Sequence, residues 1–202
     1  ATLPGDRYVK EGTVVAGTRT IPVIVKEELV RRAEALCREK AIVTVLPMPA
    51  KRVHLVVTGS EVFTGRIKDG FGPVVTKKVN ELGSALESVK LAPDDPDVIA
   101  GDIKAAKQAG ADVILVSGGM SVDPDDKTPE GIRRSGAVVE THGFPVLPGS
   151  MFLMAYLGDT PVMGLSGCVL HDPFTAFDVL LPRLLAGEKI TRAEIMAMGH
   201  GG

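Results

Sequence analysis

From residue 53 onward, short β-branched runs alternate with longer segments of helical spacing over roughly 130 residues. No other feature limits the fold as much. Strands joined through helices cannot pair as hairpins; they pair in parallel through right-handed crossovers, which put helices on both sheet faces. Such doubly covered strands need near-continuous apolar runs, and residues 53–57 (Val-His-Leu-Val-Val) and 113–116 (Val-Ile-Leu-Val) have them. Aromatic residues are only 4% of the chain and Trp is absent, so Val, Leu, Ile, Met and Ala must fill the core. The expected fold is α/β: a three-layer α/β/α domain with a mainly parallel sheet, plus a short N-terminal appended segment.

The pattern predicts strands at 53–58, 85–91, 112–116, 138–139, 152–156 and 161–165. A helix is expected from Pro73 to about Leu82, ended by Gly83. Another opens at Asp95-Pro96 and ends at Gly110, with Val98, Ile99, Ile103 and Ala106 on its apolar face. A short one begins near Thr128-Pro129, and a long apolar one covers 172–185, where Pro182 should bend or break it. Thr191 with Glu194 three residues later forms a capping box for a last short helix.

Residues 1–50 read as an appendage. The stretch 13–25 is rich in β-branched residues and is expected to be extended, while 26–40 places Leu29, Val30, Ala33, Leu36 and Cys37 at helical spacing. The stretch Pro47-Met-Pro-Ala-Lys-Arg52 separates the two regions, giving boundaries of 1–50 and 51–202. The opening Ala-Thr-Leu-Pro-Gly-Asp and the end at Gly201-Gly202 look like cuts in a longer protein, with the appendage a remnant of a larger upstream region.

A formal charge of −2 offers no basic field for a nucleic-acid backbone. No apolar stretch approaches the ~18 residues that span a bilayer, so neither nucleic acid nor membrane is an expected partner. Cys37 and Cys168 lie far apart with no C-x-x-C pattern, which fits a reduced, cytoplasmic setting. His54, His142, His171 and His200 show no metal-ligand spacing.

In open α/β sheets ligands bind outside the carboxyl ends of the strands, so the strand-exit loops are where chemistry is sought. The first is Thr58-Gly59-Ser60-Glu61, with Gly65, Arg66 and Asp69 after it. Small residues there let backbone N–H groups approach an anion, although alone this composition is that of an ordinary strand-to-helix turn. The second runs from Ser117 to Pro129. Gly118 and Gly119 remove bulk where a ring or phosphate could lie, and Asp123, Asp125 and Asp126 bring hard oxygens suited to Mg²⁺. Its bland reading is a solvated acidic turn with Asp126 capping the next helix. In the third, Asp95 is expected to cap the helix opened by Pro96, leaving Asp94 to point across the crevice toward Asp126. Two carboxylates facing an anionic ligand imply a bridging cation. The fourth is Leu165-Ser166-Gly167-Cys168, with Pro148-Gly149-Ser150-Met151 upstream; Cys168 there reads as a small buried filler.

Taken together these strings resemble the molybdopterin-binding domain family, which includes the molybdopterin adenylyltransferases and the molybdenum insertases. The resemblance spans about residues 53–185 and rests on the T-G-S-E turn followed by G-R-I-x-D, the string G-G-x-S-x-x-x-x-D-x-T-P ending at Asp126, Thr128 and Pro129, and the step Pro93-Asp94. It implies a site for molybdopterin lined by Thr58, Gly59, Ser60, Glu61 and Asp69, with Ser117, Gly118, Gly119, Ser121 and Thr128 holding pterin or phosphate, and Ser166 and Gly167 completing it. Asp94 and Asp126 fall on the acidic positions associated with Mg²⁺ and catalysis.

Molybdate is a further ligand the family suggests. Molybdoenzymes, other cofactor-synthesis proteins or a second copy of the chain are the protein partners open to such a domain. Two departures separate this chain from the insertases. Their P-G-K-P motif is Pro148-Gly149-Ser150-Met151 here, without the Lys, and their L-P-G-x-P loop is Leu165-Ser-Gly-Cys-Val169, without either Pro. The resemblance therefore leaves three readings open: an enzyme of molybdenumtransferase or adenylyltransferase type, a non-enzymatic cofactor sensor or carrier, or a nucleotide-processing protein resembling the competence-damage-inducible family.

Overall fold

In a computed structural model, residues 1–199 are described; His200 and the Gly201-Gly202 end lie outside the described residues. The chain divides into two compact units, one of residues 1–47 and one beginning at Met48.

The first unit contains α1 (Glu27–Glu39). No residue of it is buried. The extended stretch expected at 13–25 makes a single antiparallel bridge, Thr2 with Ala16, and no strand. β-branched residues form strands where a pleated surface can be half-buried, and Ile21, Val23 and Ile24 meet no such surface, being at least 89% exposed.

The second unit is built on β1 (Arg52–Thr58), α2 (Ser60–Phe63), α3 (Phe71–Glu81), β2 (Ala85–Ala92), α4 (Pro96–Gln108), β3 (Val113–Ser117), α5 (Thr128–Arg134), β4 (Val138–His142), β5 (Leu153–Leu157), β6 (Thr160–Leu165), α6 (Ala176–Leu185) and α7 (Arg192–Ala197), with a 3₁₀ turn at Gly167–Leu170. The sheet order is β2-β1-β3-β6-β5-β4. β2, β1, β3 and β6 pair in parallel, β5 runs against β6, and β4 runs against β5. One strand therefore opposes the rest, because β5 and β6 are joined by the tight turn Gly158-Asp159, which permits only antiparallel pairing. The sheet is mixed, with a parallel majority.

Alternation along the strands divides the core in two. Val53, Leu55, Val57, Val113 and Leu115 pack with Val75 and Val79 of α3 and with the apolar face of α6. Val56, Ile114 and Val116 pack on the other face against Ile99 and Ile103 of α4 and Ile132 of α5. These are the two helical layers expected from the strand–helix order.

Three local expectations are corrected by packing. Val98 is 41% exposed, and Ala100 faces inward in its place. Helix α3 starts two residues before Pro73, because Asp69 accepts hydrogen bonds from the backbone N–H groups of Phe71 and Gly72 at 2.8 and 3.0 Å. Pro182 does not break α6, which begins only at Ala176 behind a Thr175–Asp178 capping box and runs on to Leu185. Proline in a helix interior costs about 3 kcal/mol, and burial of Leu180, Leu181, Leu184 and Leu185 outweighs it at about 1.5–3 kcal/mol each. The capping box at Thr191 and the cap at Asp95 form as expected.

Candidate functional site

The in-register ends of β2, β1, β3 and β6 bring their exit loops to one edge of the sheet: Thr58 pairs with Ala92, and Ser117 with both Val57 and Leu165. Because β5 is antiparallel to β6, the loop 143–152 between β4 and β5 lies at the same edge. β1 has β2 on one side and β3 on the other, so the chain reverses direction across the sheet there. Such a switch point is where a crevice opens in an α/β sheet.

Between the β1 and β3 exits the chain is locked rather than open. Thr58 and Thr128 are buried and share a hydrogen bond of 2.8 Å through their hydroxyls. Gly118, at φ +88°, passes so close that a Cβ would lie 2.1 Å from the Thr58 carbonyl oxygen, and one on Gly119 would lie 2.9 Å from Thr128 Oγ1. These two glycines are required by the approach of β1 and α5 to the loop. Ser117, fully buried at the end of β3, has an Oγ without a hydrogen-bond partner. Thr128→Val is expected to destabilise the fold by about 1–3 kcal/mol, because Thr58 Oγ1 would lose its buried partner. Urea unfolding checks this, and a variant as stable as the parent would show the hydroxyl pair to be dispensable.

Beside this lock lies a crevice of about 510 Å³. Of the residues expected to hold ligand or metal, Gly118, Gly119, Ser121, Asp126, Ser166 and Gly167 line it. Its other walls are Met120, Leu165, Cys168 and the segment Leu147 to Met151. The segment 147–151 bears on the start of α6: Ala176 N–H donates to the Pro148 carbonyl at 3.0 Å, and a Cβ on Gly149 would meet Ala176 at 2.7 Å. The sequence set this string beside the Leu165–Cys168 loop, and the antiparallel pairing of β4, β5 and β6 is what brings it to that edge. Ser166 Oγ lies 3.1 Å from Cys168 Sγ. Asp126 is the one carboxylate in the lining, which contains no Lys, Arg or His.

Thr58, Gly59, Ser60, Glu61, Asp69, Asp94, Ser117 and Thr128 are not in that lining. Asp94 Oδ2 accepts the Ser60 N–H at 2.7 Å. Gly59 N–H donates to the Ala92 carbonyl at 3.1 Å, so the first and third loops are tied together. The Glu61 carbonyl accepts from Arg66 and Ile67, and the Asp69 carboxylate holds the first turn of α3, whose cap position is Gly70. Asp126 does not cap α5, whose cap position is Lys127; it accepts the Ser121 N–H and so folds its own loop back. Asp123 holds the turn before it by accepting from Asp125 N–H at 2.9 Å. Among the described residues no three His, Cys, Asp or Glu side chains gather as a metal site. No described helix is long and apolar enough to cross a membrane.

An α/β domain with a glycine-lined crevice at its parallel-strand exits is the architecture of a small-ligand-binding domain. The family model described as "Probable molybdopterin binding domain" matches residues 54–186, and the chain belongs to that family. In fold it is similar to the molybdopterin biosynthesis enzyme MoaB of Thermus thermophilus (TM-score 0.56, 20% identity, 68% of this chain and 98% of that one). It is also similar to the molybdopterin biosynthesis MoeA protein of Pyrococcus horikoshii (TM-score 0.56, 26% identity, 78% of this chain and 40% of that one). In sequence it is 37% identical to a CinA-like protein of Mycobacterium leprae over 83 residues, 41% of this chain and 19% of that one. A CinA-like protein of Mycobacterium avium is 37% identical over 89 residues, 44% of this chain and 20% of that one. The matched segment thus spans about a fifth of the length of these curated relatives.

Proposed function

We propose that the strand-exit edge binds molybdopterin, or its adenylylated or metal-loaded form, in synthesis, insertion or delivery of the molybdenum cofactor. The observation that carries this reading is the loop Gly118–Asp126 folded against Thr58 and Thr128, with glycine backbone forming one wall of the crevice. The Gly118 and Gly119 backbone lines the crevice, and a planar ring can lie against it there. In this reading Ser121, Ser166 and Gly167 hold the ligand from the crevice walls, while the turn Gly59–Glu61 stands beside its phosphate. Asp94 and Asp126 would share Mg²⁺ with the phosphate oxygens. The bound cation would neutralise charge on that phosphate, and the two carboxylates, each oriented by one backbone N–H, would fix where it sits.

Asp126→Asn is expected to leave the fold intact and to weaken Mg²⁺-dependent ligand binding. Calorimetry with and without Mg²⁺ checks it; equal affinities in parent and variant under both conditions would remove the cation from the proposal.

A second reading, nucleotide processing, is supported by the identity to CinA-like proteins. Mass spectrometry of ligand released from natively purified protein separates the two. A fluorescent pterin supports the first, and a nucleotide together with hydrolysis of a nucleotide pyrophosphate supports the second.

A further inference from the structure

Four residues before Thr58, strand β1 carries His54, whose side chain is only 10% exposed. The neighbouring edge strand departs from regular register there. Val53 pairs with Leu86 and His54 with Ser88, leaving Glu87 as an extra residue. A bulge of this kind re-aims side chains that would otherwise alternate between faces. Both Glu87 and Ser88 consequently reach the imidazole: Ser88 Oγ lies 2.8 Å from Nδ1, and Glu87 Oε2 lies 3.5 Å from Nε2. Nε2 itself is buried and makes no hydrogen bond.

We propose that His54 Nε2 and Glu87 Oε2 form a two-residue site for an imidazole-binding divalent cation of the zinc class. The observed separation is beyond hydrogen-bond range. Two ligands each about 2.1 Å from a shared tetrahedral ion stand about 3.4 Å apart, which is the spacing found here. The tautomer fits as well. In the tautomer where Ser88 Oγ accepts the Nδ1 proton, the lone pair is on Nε2, and a hydrogen bond at the far ring nitrogen is what orients a metal-bound imidazole. The Glu87 side chain is 43% exposed, so water can reach the remaining coordination positions.

Two protein ligands make this a weaker site than a closed structural zinc centre. Its place in the fold gives it a consequence. The ion cross-links β1 and β2, whose exits carry Ser60 and Asp94, the pair joined by the 2.7 Å hydrogen bond described above. Occupancy fixes the pairing of β1 and β2 near their starts, four residues before that exit.

The test is calorimetric titration of the protein with Zn²⁺ alone, with the ring-nitrogen NMR signals of His54 followed in parallel. One site is expected, with the Nε2 signal displaced on Zn²⁺ addition. His54→Gln and Glu87→Gln should each weaken that site at least about tenfold, and Ser88→Ala about tenfold through loss of the orienting hydrogen bond. His171→Gln, at an exposed histidine, should leave it unchanged. Glu87 is half-exposed, so its variant keeps the fold and reports even if the His54 variant does not. Zn²⁺ affinity unaltered in Glu87→Gln, or a His54 ring that responds to pH and not to Zn²⁺, overturns the proposal in favour of a plain His–Glu ion pair.

Discussion

Gly118→Ala should abolish ligand binding and lower stability by about 2–5 kcal/mol, the sum of two effects at this position. The backbone is at φ +88°, where a side chain is disfavoured by about 1–2 kcal/mol. The new Cβ would also lie 2.1 Å from the Thr58 carbonyl oxygen and 2.8 Å from Thr58 Oγ1, and overpacking of this kind costs about 1–3 kcal/mol. The loop cannot yield without parting from β1, so the crevice wall shifts with it. Gly167→Ala is the control, because Gly167 lines the same crevice and a Cβ there meets nothing within 4 Å. Urea denaturation of both variants measures the difference. Equal stability would mean that the loop moves freely relative to Thr58, and the lock described here would be wrong.

The second large effect concerns oxyanions. Without a cation in the crevice lining, the domain should bind molybdopterin yet insert molybdenum about 10²-fold more slowly than an insertase that positions molybdate well, since a misplacement of about 1 Å costs that much. Ser150 stands where the insertases resembled by this chain carry the Lys of P-G-K-P, and it lines the crevice. Ser150→Lys should therefore raise molybdate affinity by about tenfold or more, the equivalent of one charge-assisted hydrogen bond of ~1.5–3 kcal/mol. The measurement combines molybdate binding with reconstitution of a cofactor-free molybdoenzyme from purified domain, molybdopterin, Mg²⁺ and molybdate. Reconstitution by the parent at full insertase rate would show that Ser150 and the proline-free loop Leu165–Val169 are harmless replacements.

Much of the second unit was legible before any coordinates, because apolar periodicity and end signals act over a few residues. The run Val53-His-Leu-Val-Val, the cap at Asp95, the capping box at Thr191 and Glu194, and the glycine turn after Ser117 each determine their own local conformation. The order of those elements was sufficient for a parallel majority with helices on both faces, since crossover handedness leaves few alternatives.

What only the tertiary structure decided depends on which partners meet. The Asp94 carboxylate is oriented by the Ser60 N–H, 34 residues away in sequence, a partner that no spacing reveals. The hydroxyls of Thr58 and Thr128, expected as ligand residues, pair with each other across 70 positions. Segment 147–151 became a wall of the crevice because β5 runs antiparallel, and Pro182 stayed inside α6 because the core beneath it outweighs the lost hydrogen bond. The bulge at Glu87 has no signature in its own residues, as it exists only relative to β1. Local propensities are set by each residue and its near neighbours, whereas hydrogen-bond partners, register and burial are settled by competition among groups distant in sequence, and that competition is resolved only when the whole sheet closes.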